Sequence, residues 1–76
     1  MTPKEIEAAL KAAGYTKSGD KYEKTVKGHH IEFEPQDAHV IVYIDANKDN
    51  FVRFLTTSFH PDDISWVEKE LLNYMT

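Results

Sequence analysis

Four histidines, at positions 29, 30, 39 and 60, stand in a chain that holds no cysteine. Metal or acid–base chemistry here therefore has imidazoles and carboxylates to work with, and no thiolate. Neighbouring His29 and His30 point to opposite faces of a strand, so only one of them can share a site with His39. His30, His39 and Glu34 are the set able to approach a zinc ion, but the spacing forces no further ligand into place. The expectation is surface histidines, with no metal and no cofactor. Glu32 and Glu34 lie on one strand face, two residues apart, as an acid–base pair would. No phosphate-cradling glycine loop or nucleophile elbow accompanies them, so they read as solvated strand charges and no catalytic residue is assigned. Asp45-Ala46-Asn47-Lys48-Asp49-Asn50 matches the first half of a calcium loop. Its sixth position is Asn50 where glycine is required and its twelfth is Thr56 where a bidentate glutamate is required, so it reads as a polar turn.

The elements that must carry these residues are legible from caps and periodicity. Thr2-Pro3-Lys4-Glu5 places a capping threonine, a helix-starting proline and a returning glutamate in order, and predicts a helix from Pro3 to about Ala13. Ile6, Ala9, Leu10 and Ala13 form its apolar stripe, and Gly14 stands where a left-handed cap is wanted. The period then falls to two. A strand is expected near residues 21–27 after the Ser18-Gly19-Asp20 turn, with Tyr15 to Lys17 as a short partner. Strands follow at His29 to Glu34, His39 to Ile44 and Phe51 to Thr57. Pro61, Asp62 and Asp63 open a final helix running to about Tyr74, with Ile64, Val67, Leu71 and Tyr74 on its buried side and Leu72 and Met75 near it. Trp66 lies off that stripe and reads as peripheral core. The expected fold is α+β over residues 1–76 as one domain: helix, four-stranded antiparallel sheet, helix, with both helices on one sheet face.

Pairing Glu34 with His39 sets Phe33 against Val40 and Ile31 against Val42, which gathers apolar pairs on one face. The other face then carries His30, Glu32, Glu34, His39, Ile41 and Tyr43. They are joined by Phe51 and Arg53 or by Val52 and Phe54. A face that mixes acids with aliphatic and aromatic groups suits docking to a protein partner or to a second copy of the chain. The competing view is that long side chains cover Tyr43 and its neighbours.

The run Lys27-Gly28-His29-His30-Ile31-Glu32-Phe33, behind a helix and a strand, is similar to the HicA toxin family of small ribonucleases, which carry a Gly-Ser-His motif at the second strand. The resemblance covers roughly residues 4–33. It implies His29 or His30 as the acid–base group that helps activate a ribose hydroxyl. The chain departs from the family pattern in having no serine between Gly28 and the histidines, and in an apparent fourth strand.

Charge opposes that activity. Residues 1–27 hold six lysines against four acids, and residues 28–76 hold three basic residues against nine acids, within a net charge of −4. An acid-rich surface repels phosphate backbones and disfavours nucleic acid. At 41% hydrophobic and 29% charged, with three glycines and three prolines, the composition is that of a folded globular chain. The start lacks the basic stretch and apolar run of a secretion signal, and no run of about 18 apolar residues occurs, so no membrane association is expected. Together these features predict a cytoplasmic, non-enzymatic protein-binding or regulatory module, an inhibitor in its sharpest form. A nuclease using His29 or His30 and a self-associating structural protein are the alternatives.

Overall fold

The first helix forms where its capping signals lie. In the computed structural model, which describes residues 1–75 except for the side chains of Asn47, Lys48, Asn50 and Met75, α1 spans Pro3–Ala12. Thr2 Oγ1 accepts from the Glu5 amide at 3.3 Å, and Glu5 Oε1 accepts from the Thr2 amide at 2.8 Å. These two bonds satisfy backbone donors that an isolated helix start leaves open. Gly14 ends the turn at φ 94°, a conformation that costs glycine least.

Five strands follow, where the sequence reading expected four: β1 (Thr16–Ser18), β2 (Lys21–Val26), β3 (His29–Pro35), β4 (His39–Ile44) and β5 (Asn47–Leu55). They pair antiparallel in chain order, each joined to the next by a tight turn. The anticipated short partner of β2 is a strand in its own right, shifted one residue from Tyr15–Lys17. Tyr15 instead enters the core at 4% exposure.

The β3–β4 register also differs from expectation. Phe33 opposes Val42, Ile31 opposes Ile44 and Pro35 opposes Val40, a slip of two residues from the Glu34–His39 alignment. The cause is a tighter hairpin: the Gln36 amide donates to the His39 carbonyl at 2.7 Å, so only Asp37 and Ala38 form the tip. A two-residue slip keeps every side chain on its face. The inward and outward sets therefore survive the correction.

The polar stretch after β4 is likewise shorter than expected. Asp45 and Ala46 alone make the turn, both at φ 56°, and β5 starts at Asn47. Consecutive left-handed residues are what a two-residue hairpin of this twist requires. A register shift between Val42, which pairs with Val52, and Ile44, which pairs with Asn47, absorbs three extra residues of β5. Beyond Leu55, Thr56–Ser58 form a 3-10 turn, so the strand stops short of Thr57. Buried Thr56 fastens this corner: its hydroxyl donates to Gln36 O and its amide to Ala38 O, both at 3.0 Å.

The closing helical segment changes pitch. Regular α2 covers Pro61–Trp66, a π turn covers Val67–Leu71 and a 3-10 turn covers Leu72–Met75. The wide turn spaces inward residues five apart, so Val67 and Leu72 are fully buried while Tyr74, expected inside, is 84% exposed. Met75 was expected near the stripe, and its side chain lies outside the described residues. Ile6 and Leu10 of α1 share one core with Ile64, Val67 and Leu72, over Tyr22, Ile31, Phe33, Val40, Val42 and Ile44 of the sheet. Edge-on aromatic contacts run through this core from Tyr15 to Phe33 (5.2 Å), Phe59 (6.3 Å from Phe33), Phe54 and Trp66. Trp66 thus caps the core edge. No helix among the described residues is long and apolar enough to cross a membrane.

Candidate functional site: the open sheet face

The inward residues of the sheet meet both helices, which leaves the outward residues facing away from them. Cross-strand pairing fixes who stands beside whom: Thr25 faces His30, Glu23 faces Glu32, Glu32 faces Tyr43, Glu34 faces Ile41, Ile41 faces Arg53, and His39 faces Leu55. The register selects Phe51 and Arg53 for this face, and sends Val52 and Phe54 to the core. Phe51 is 46% exposed and Leu55 57%; Ile41 and Tyr43 are half-buried between their neighbours.

Long cations cover part of it. Lys21 Nζ lies 4.6 Å from the centre of the Tyr43 ring and the Arg53 guanidinium 5.8 Å from that of Phe51, contacts that shield an aromatic face while leaving the charge in water. The Tyr43 hydroxyl donates to Glu34 Oε1 at 3.3 Å, and Gln36 Nε2 donates to Glu34 Oε2 at 3.1 Å. Acids crowd toward β2 and β3, apolar groups toward β4 and β5.

Of the residues singled out from sequence, Glu32, Glu34, His30, His39, Ile41 and Tyr43 all lie on this face, but they do not form one cluster. His30 and His39 sit at opposite ends of β3 and β4. The pairing places His39 against Gln36, six residues or about 20 Å along the strand from His30. A His30–His39–Glu34 zinc set is therefore ruled out by reach. His30 instead joins a different pair: its Nε2 is 3.4 Å from Glu23 Oε2, and one donor atom each from Glu23, His30 and Glu32 fall within 4.8 Å of one another.

His29 points the other way, as strand alternation requires. Its Nδ1 lies 2.7 Å from Asp45 Oδ2, while Asp45 Oδ1 accepts the His30 amide at 2.9 Å. The imidazole and that amide hold the Asp45 carboxyl below the usual carboxylate range. The calcium-loop aspartate is thus a clasp between two hairpin turns. His29 and His30, each named from sequence as a possible acid–base group, thus face opposite sides of the sheet. His60 caps α2, its Nδ1 accepting from the Asp62 amide at 3.2 Å.

Two further polar groups fix the scaffold behind the face. Glu68 accepts from the Tyr15 hydroxyl at 2.7 Å and from Lys24 Nζ at 3.2 Å, and Lys24 also donates to Ala13 O. Burial, then the bond to Glu68, pushes the Tyr15 phenol well above its ordinary value. The Tyr22 hydroxyl donates to Glu7, beside a shallow polar groove of about 280 Å³ lined in part by Lys17, Asp20 and Glu34.

Sequence reasoning missed Glu23 and Leu55. The signal for Glu23 was present: Lys27-Gly28 as a two-residue turn, at φ 52° and 80°, pairs Val26 with His29 and hence Glu23 with Glu32. Leu55 follows once Phe51 and Arg53 are assigned outward. No protein-family model, curated protein or solved structure matches this chain.

Proposed function

We propose that this chain is a non-enzymatic binding module, cytoplasmic in location, that docks a basic protein surface through the face built from β2 to β5. One observation carries the reading: exposed Phe51 and Leu55, with Ile41 and Tyr43 beside them, adjoin Glu23, Glu32 and Glu34 on a sheet face that neither helix covers. The cations of this face, Lys21 and Arg53, already lie over its own aromatic rings. Those contacts leave the charges in water, so Glu23, Glu32 and Glu34 stand against two cations and the face carries a slight acidic excess beside its apolar groups. A standard interface takes about 800 Å² from each partner, roughly a sixth of the 4623 Å² surface of this chain, and one sheet face can supply it. Apolar residues give such contact its strength and acids give it speed and choice of partner. A stoichiometric inhibitor of a nucleic-acid-binding protein is the sharpest form of this reading.

Affinity capture with the wild type and with Leu55→Asp, at low and high salt, tests it. The reading expects a basic protein held by the wild type, released as salt rises and not held by the variant. Equal retention by both chains would overturn it.

A further inference from the structure

We propose that Glu23, His30 and Glu32 form a binding site for a divalent transition metal, with zinc as the fitting ion. The proposal shares Glu23 and Glu32 with the docking face but rests on donor geometry, so absence of zinc binding and absence of partner binding are separate outcomes. One imidazole nitrogen and two carboxylate oxygens lie within 4.8 Å of one another. Tetrahedral zinc at bond lengths near 2.0–2.2 Å sets its ligand atoms about 3.3 Å apart, so small side-chain rotations close the set. The nitrogen donor separates this trio from an ordinary acidic patch. It also favours zinc over magnesium or calcium, which take oxygen shells.

The scaffold supplies the second argument. Glu23 and Glu32 are direct cross-strand partners, and two like charges in that position repel. The chain nevertheless brings them together with a third donor at the centre of the sheet. All three residues are half-buried on β2 and β3, strands paired on both sides, which restricts how far the donors can spread. The face is open above them, so a fourth position remains for water or for a ligand from a bound molecule, as in zinc sites with three protein ligands.

Zinc titration of the full chain by calorimetry, with the histidine side-chain NMR spectrum recorded in parallel, tests the proposal. The expected result is one zinc per chain at pH 7.5, at least about tenfold weaker binding in each of Glu23→Gln, Glu32→Gln and His30→Ala, and unchanged binding in His60→Ala. Zinc should perturb the His30 ring and leave that of His60 alone. Without zinc, Glu32→Gln should melt at or above the wild type because a repulsion is gone; with zinc, only the wild type should gain. No zinc uptake, an unmoved His30 ring, or equal zinc stabilisation of wild type and Glu32→Gln would each overturn the site.

Discussion

Replacing Glu68 with alanine removes the acceptor that ties the final helical segment to β2 and to the end of α1. Its carboxylate takes a hydrogen bond from Tyr15 at 2.7 Å and an ion pair from Lys24 at 3.2 Å. A hydrogen bond to a charged group contributes about 1.5–3 kcal/mol, and losing it strands the Tyr15 hydroxyl in a buried setting. The Lys24 side chain is 32% exposed, so its pair is screened and adds only about 0.2–1 kcal/mol. The total of roughly 2–4 kcal/mol is large against the ~4–11 kcal/mol expected for a chain of this length. Thermal unfolding followed by circular dichroism should show Tm lowered by roughly 10–25 °C. A double-mutant cycle with Tyr15→Phe isolates the shared bond, with a coupling of at least about 1 kcal/mol expected. A coupling under about 0.5 kcal/mol, or a Tm unchanged in Glu68→Ala, would refute the reasoning.

Three other outcomes follow from particular residues. Ala46 sits at φ 56°, where an L residue is strained by about 1 kcal/mol, so Ala46→Gly should leave Tm unchanged or raise it; a drop beyond 5 °C, about 1 kcal/mol, would count against the turn geometry. On the alkaline side, Glu7 as acceptor is the main cause of a Tyr22 phenol raised to about 12. Its contribution is complete below the unfolded tyrosine value near 10 and is lost between there and about 12, so Tyr22→Phe should flatten the fall in Tm over that window. On the acid side, the depressed Asp45 carboxyl contributes above the unfolded value near 3.9, and that contribution goes as pH drops through its lower folded value. Denaturation curves from pH 5 to 2 should be less pH-dependent in Asp45→Asn than in the wild type.

Local chemistry was the readable part of this fold. The Thr2–Glu5 capping box, Gly14 at the helix end and the alternation through Ile31, Phe33, Val40 and Val42 each state their structure within a few residues. What periodicity does not carry is count and phase. β1 has three exposed residues and no apolar alternation to announce it. The Gln36–His39 closure is set by hydrogen bonding at a turn, and a slip of two residues leaves the hydrophobic pattern unchanged. Leu71 and Leu72 both suit a buried stripe; the π turn that chooses Leu72 follows from packing on the sheet. The site shows the same division. Face membership of His30, Glu32, Glu34, His39, Ile41 and Tyr43 follows from alternation alone, whereas the meeting of Glu23 with His30 and Glu32 depends on the β2–β3 register.

The docking face is tested most directly by mapping chemical shifts in an isotope-labelled chain as the captured basic partner is titrated in at low salt. The account predicts that the signals of Ile41, Tyr43, Phe51 and Leu55 move together with those of Glu23 and Glu32, while the core residues Ile6 of α1 and Ile64 of α2 stay in place. A footprint centred on α1 or α2, with the outward residues of β3 to β5 unmoved, would contradict it.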